Sequence, residues 1–230
     1  MSTQPLKTVF LDYDTVSNGD LDLQPLREAT DNLTLYESSE TLIAERIRDA
    51  DVALLNKLDL TRALLSGASR LKLVALAATG TNNVDLSAAR DLGIAVCNVR
   101  AYCTASVVQH VWGLILSLTQ HVYEFSRLSM DGSWPKDEAG VALSHPIREL
   151  QGRIFGVVGW GELGRGAARI DVLPQEPPAR GEPLLDSQIP NLLVTPHIAW
   201  AAREARQRCI DEMAANIRDF RSGGRRGRVV

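Results

Sequence analysis

Five prolines, Pro174, Pro177, Pro178, Pro183 and Pro190, crowd the segment from Asp171 to Pro190 of this 230-residue chain. Proline lacks an amide N–H and has a fixed φ, so this density excludes regular helix or central strand there. What precedes it makes the exclusion informative. Arg153-Ile-Phe-Gly-Val-Val158 is a short buried-strand pattern, Gly159-Trp-Gly-Glu-Leu-Gly164 follows it, and Arg165–Ile170 is a small-residue helix. Glycines spaced this way between a strand and a helix can cradle a pyrophosphate. Gly159 permits the tight turn, Gly161 lets the phosphates approach the backbone, and Gly164 lets the helix pack close; Glu162 and Leu163 complete the turn. The same spacing also occurs in ligand-free glycine turns. A complete dinucleotide fold needs about six parallel strands and an acidic ribose ligand ~20 residues further on. That position falls at Pro177–Glu182, and Glu182 follows no strand. Only Ile154–Val158 and Leu192–Thr195 read as strands beyond residue 150, so any nucleotide domain here is expected to be incomplete.

The first hundred residues read differently. Thr8–Leu11, Leu33–Tyr36, Val52–Leu55, Leu73–Ala77 and Ala95–Asn98 are short apolar runs, as expected for parallel strands covered on both faces. Helical patterns lie between them at Leu42–Arg48, Thr61–Ala68 and Leu86–Leu92. Alternation of this kind implies an α/β domain of the flavodoxin-like class. A long helix is expected over Ala105–Leu128, with Val107, Val111, Leu114 and Leu118 on its apolar face. Met130–Leu143 reads as a surface connection and Ala201–Phe220 as a final helix. The tail, Ser222-Gly-Gly-Arg-Arg-Gly-Arg-Val-Val230, is expected to fray.

Composition narrows the partners. Lys and Arg total 25 against 28 Asp and Glu, a formal charge of −3, which gives no electrostatic case for nucleic acid or an acidic membrane. No apolar run approaches the ~20 residues that span a bilayer, and the N-terminus shows no signal-peptide pattern. Cys97, Cys103 and Cys209 are odd in number and widely spaced, with no metal spacing, so the reading is cytoplasmic and metal-free.

His197 follows the apolar run Leu192–Thr195 and Pro196. Ligands in open α/β sheets bind at the carboxyl ends of strands, where a histidine can exchange protons near neutral pH. Glu176 and Asp171 are the nearest upstream acids able to orient its ring. His110, His121 and His145 read as structural or merely exposed.

Leu71–Val99 (LKLVALAATGTNNVDLSAARDLGIAVCNV) resembles the substrate-domain signature of the D-2-hydroxyacid dehydrogenases. Asn56-Lys57, Tyr102-Cys-Thr-Ala-Ser-Val-Val-Gln109 and Pro146-Ile-Arg-Glu-Leu-Gln-Gly152 add to it. Gly156–Arg165, Asp171-Val-Leu-Pro-Gln-Glu-Pro177 and Val194-Thr-Pro-His-Ile-Ala-Trp200 match later motifs in order. Trp200 and Asn82-Asn83-Val84-Asp85 look most like the glycerate dehydrogenase/hydroxypyruvate reductase branch.

The resemblance implies a flavodoxin-like substrate domain at 1–99 with 202–230, and a truncated Rossmann-type nucleotide domain at 100–201. It implies NAD or NADP as cofactor, a small 2-keto or 2-hydroxy acid as substrate, and a homodimer or pairing with a full-length relative. His197 and Glu176 stand at two catalytic positions; Asn56, Lys57, Thr79, Gly80 and Thr81 at substrate positions; Thr104, Gly159, Gly161, Glu162, Leu163, Gly164, Asp171 and Trp200 at cofactor positions. Thr104 also reads as a helix cap, and Thr79–Thr81 as a tight strand-to-helix turn. The family's catalytic arginine motif has no counterpart. Ile170 runs straight into Asp171 where roughly ninety more residues, about half a dinucleotide domain, are expected. Three readings follow: a keto acid reductase of the family, impaired or inactive; a non-catalytic dimerisation or binding module; or the product of a decayed gene.

Overall fold

A computed structural model describes residues 5–134, 144–154 and 195–230. The chain divides into two compact units, Met1–Cys103 with Ala201–Val230, and Thr104–Trp200.

The first unit is built on five parallel strands: β1 (Lys7–Phe10), β2 (Asn32–Leu35), β3 (Val52–Leu55), β4 (Leu73–Leu76) and β5 (Ala95–Cys97). Their order is β2-β1-β3-β4-β5, the flavodoxin-like arrangement. β3, β4 and β5 are buried along their whole length, which is why their sequences run apolar without alternation. Short helices cross between strands: α1 (Gln24–Ala29), α2 (Ile43–Ile47), α3 (Arg62–Gly67) and α4 (Leu86–Asp91). Thr61 caps α3 through the Leu64 amide, and Asp85 caps α4 through the Ala88 amide at 2.8 Å. Leu55, Leu65, Leu76, Ala88 and Val96 belong to one core on the sheet.

The last helix, α7 (Arg203–Arg221), packs beside α1 and buries Ala205, Cys209, Ile210, Met213 and Ile217. Arg206 clamps Asp20 through two guanidinium nitrogens at 2.8 and 2.6 Å, which holds the Asp20 carboxyl down at about 2. The tail does not fray. The Val229 amide donates to Val96 O at 2.7 Å and the Asn98 amide donates to Gly227 O at 3.0 Å, so the segment runs antiparallel along the open edge of β5. An edge strand offers unpaired backbone groups, and here they outweigh the glycine-rich composition of the tail.

In the second unit the helix expected over Ala105–Leu128 is broken. α5 covers Thr104–Gln120 and α6 covers Val122–Met130, with His121 between them in the left-handed region at φ 49°. Apolar periodicity continues across the break, so the sequence pattern conceals it. The expected strands at Ile154–Val158 and Leu192–Thr195 lie wholly or largely outside the described residues, as does the helix at Arg165–Ile170. Among the described residues no helix is long and apolar enough to cross a membrane.

Candidate functional site

In a sheet of this order the direction in which the chain winds along the sheet reverses between β1 and β3, and ligands commonly enter the crevice at their carboxyl ends. Here a side chain of the protein fills that crevice. Asp12, fully buried just beyond β1, accepts the amides of Asn56, Lys57 and Leu58 on its Oδ2 at 3.1, 2.7 and 3.0 Å. Three successive N–H groups converging on one oxygen form an anion nest. Burial pushes the Asp12 carboxyl above its usual range, and the three amides only partly offset this. Asp51, equally buried at the other end of the sheet, behaves in the opposite way. Burial raises its pKa too, but the Lys7 amide, Lys72 and Arg70 outweigh it and the net shift is downward.

The β3 loop is fixed from other sides as well. Asn56 donates from Nδ2 to Thr15 Oγ1 at 2.9 Å. Asn83 donates from Nδ2 to Asn56 O at 3.3 Å and Leu58 O at 3.0 Å. Asn56 is therefore buried and held by these bonds, while Lys57 is exposed.

The neighbouring loop, after β4, is tethered at its base and open at its tip. Thr79 Oγ1 donates to Val99 O at 2.8 Å, and Asn98 Nδ2 donates to Thr79 O at 2.7 Å. The amides of Gly80 and Thr81 donate to no described group. A Cβ on Gly80 would stand 3.2 Å from Asn82 Oδ1, so the tip is close to its own turn. Because β3 and β4 are parallel neighbours, Asn56–Lys57 and Thr79–Thr81 emerge at one end of the sheet. Asp12 and Asn83 were not among the candidates from sequence. Their partners lie 44 and 27 residues away, and no local motif marks such contacts.

The second unit holds the other described candidates. His197 sits in the left-handed region at φ 52°, a conformation that costs a non-glycine residue on the order of 1 kcal/mol. Surrounding bonds hold it there. Its amide donates to Thr195 O at 2.8 Å, and the Trp200 indole N–H donates to His197 O at 2.8 Å. Ser106 on α5 donates to Ala199 O at 2.6 Å, and His110 Nε2 lies 2.9 Å from Thr195 Oγ1. His110, read as structural from sequence, thus pins the residue two before His197. Trp200, placed by motif at the cofactor, spends its N–H on the histidine loop and retains its ring for packing. Thr104 is the first residue of α5. Glu176, Gly159, Gly161, Glu162, Leu163, Gly164 and Asp171 lie outside the described residues. Among the described residues no cluster of His, Cys, Asp or Glu could hold a metal ion.

Residues 12–230 match the family model for the D-isomer specific 2-hydroxyacid dehydrogenase catalytic domain. Glycerate dehydrogenase of Methylorubrum extorquens is 27% identical over 278 aligned positions, covering 82% of this chain and 88% of that protein. Hydroxypyruvate reductase of Blautia hydrogenotrophica is 31% identical over 169 positions, covering 72% of this chain and 52% of that protein. Among solved structures, an acyclic imino acid reductase in complex with NADPH and D-Arg superposes with a TM-score of 0.78 at 14% identity, covering 98% of this chain and all of that one. With its parallel flavodoxin-like sheet and a family match running from Asp12 to Val230, the chain belongs to the D-isomer specific 2-hydroxyacid dehydrogenases.

Proposed function

We propose that this chain descends from a reductase of small 2-keto acids, hydroxypyruvate or glyoxylate, and retains substrate contacts while its reductase step is impaired or lost. One observation carries the second half. The alignment with glycerate dehydrogenase runs over 278 positions, more than the 230 residues this chain possesses. Residues of that relative therefore lack counterparts here, in keeping with a junction at 170/171. The substrate domain is then 1–99 with 202–230, and 100–201 is the remnant of the nucleotide domain.

In this reading the Gly80 and Thr81 amides receive the substrate carboxylate, with Lys57 adding charge beside them. His197, oriented by Glu176, gives a proton to the carbonyl oxygen, and the left-handed turn at His197 fixes where the imidazole starts. Thr104, Gly159, Gly161, Glu162, Leu163, Gly164, Asp171 and the ring of Trp200 are the residues able to hold NAD or NADP. When bound, that cofactor supplies the hydride. A guanidinium that would pair with the substrate carboxylate and polarise the carbonyl has no motif counterpart, and loss of such a charge-assisted bidentate contact removes much of the transition-state stabilisation. Thiols at Cys97, Cys103 and Cys209 suit a cytoplasmic setting.

The test is a titration of purified protein with NADH and NADPH followed by fluorescence, then an assay of hydroxypyruvate reduction. Weak or absent turnover is expected; saturable cofactor binding with turnover near that of full-length relatives would refute the impaired step.

A second reading, a dimerisation module, is favoured by the exposure of Trp112, Leu116, Val122 and Tyr123 on α5 and α6, at 44–63%. Light scattering distinguishes it: a monomer at micromolar concentration rules it out.

A further inference from the structure

We propose that the C-terminal strand, together with Arg100, forms a binding site for a phosphoryl oxyanion beside the edge of β5. The site is independent of the keto acid reading and uses residues that reading leaves unassigned.

The tail is held in place by its backbone. It pairs with Val96 and Asn98, and the Arg226 amide donates to Asp219 Oδ2 at 2.7 Å. Gly227, at φ 61°, makes the close approach possible. A Cβ there would fall 2.6 Å from Asn216 Nδ2 and 2.8 Å from Asn98 O, so any other side chain would push the strand away. Arginines in a mobile tail spread their charge through solvent. Arginines on a docked strand are presented at fixed points.

Those points surround a cavity of about 330 Å³ lined by Arg100, Arg225, Arg226, Arg228, Asn98 and Glu212, among others. Four arginines and one acidic residue, Glu212, line it, on a chain whose overall formal charge is −3. Arg226 is paired with Glu212 at 2.6 Å, and Arg228 Nε donates to the Val230 backbone oxygen at 2.6 Å. The guanidiniums of Arg100 and Arg225 have no partner among the described residues. Crowding like charges without acidic partners costs free energy unless an anion is brought in. Guanidinium forks match phosphoryl oxygens in planar, paired hydrogen bonds.

Asn98 lines the same cavity. It is only 5% exposed, and its Oδ1 is a buried acceptor with no partner among the described residues. A hydrogen phosphate carries acceptor oxygens for the arginines. The cavity's size suits a phosphoryl group, free or on a small ester.

The experiment measures thermal unfolding of the full chain against inorganic phosphate, with sodium chloride at matched ionic strength as reference and glycerol 3-phosphate as the ester arm. Binding to the native state should raise Tm saturably, by on the order of 4 °C at excess ligand. Arg100→Ala and Arg225→Ala, each at a side chain making no described bond, should abolish the shift and leave the ligand-free Tm unchanged. Arg48→Ala, an exposed charge elsewhere, should keep it. A larger response to the ester would identify a phosphorylated metabolite as the ligand, and a larger response to inorganic phosphate the free ion. Broadening of the phosphorus-31 line of phosphate, lost in the same two variants, gives a readout free of stability effects. A chloride-like response, or a phosphate shift that survives both substitutions, would overturn the proposal.

Discussion

Two loops leave the same end of the sheet from adjacent strands and meet opposite fates. After β3, the amides of Asn56, Lys57 and Leu58 are consumed by the buried carboxylate of Asp12, and Asn83 holds the carbonyls of Asn56 and Leu58. After β4, the amides of Gly80 and Thr81 are left without a described acceptor. The first loop already contains its anion; the second has room for one from outside. Backbone donors at strand ends are therefore not equivalent, and which of them can serve a ligand depends on a residue that arrives from a different strand.

The largest expected effect breaks the first loop. Asp12→Ala leaves three amide donors without an acceptor, and unfolding measurements should show a loss of about 3–5 kcal/mol. Asp12→Asn should cost less, because a carboxamide oxygen at the Oδ2 position still accepts the Lys57 and Leu58 amides, although the 2.9 Å bond from the Asn56 amide to Oδ1 is lost. Next is Asn83→Ala, which removes two bonds to carbonyls and should cost about 1–2 kcal/mol in the same assay. Smaller still on stability, Gly80→Val should leave unfolding nearly unchanged while weakening binding of a keto acid analogue such as oxamate by tenfold or so, about 1.4 kcal/mol. Equal damage to both properties would show that the β4 loop is structural like its neighbour.

The smallest effect is seen in acid, where carboxylates in the two settings should carry opposite signs. Arg206 holds Asp20 at about 2, below its unfolded value near 3.8. Its stabilisation is present above the unfolded value and is lost as pH falls toward 2. Asp12 has a raised pKa, so its contribution is complete at low pH and declines as pH rises through the raised value. Relative to its neutral isostere Asp20→Asn, wild type should therefore gain stability as pH rises from about 2, and relative to Asp12→Asn it should lose stability as pH rises.

What the sequence reveals follows the range of the interactions. β3, β4 and β5 are visible because each is an unbroken apolar run buried on both faces, whereas β2, with Asn32 and Thr34 exposed, shows only alternation. α1 escaped the periodicity reading: six residues with a proline in the first turn carry almost no pattern. The break at His121 is hidden because the apolar rhythm of α5 resumes in α6. The docked tail was unreadable for a different reason. Gly-Gly-Arg-Arg-Gly-Arg looks like mobile chain, and only the vacant edge of β5, over a hundred residues earlier, gives it a partner. Within the site, His197 and Thr79–Thr81 stood out by motif, whereas Asp12, Asn83 and His110 act through contacts across 27 to 85 residues.

The contrast between the two loops is tested most directly by amide chemical shifts during a titration with oxamate. The Gly80 and Thr81 resonances should move saturably while those of Asn56, Lys57 and Leu58 stay in place. Movement of the Asn56–Leu58 amides with Gly80 and Thr81 unaffected would contradict it.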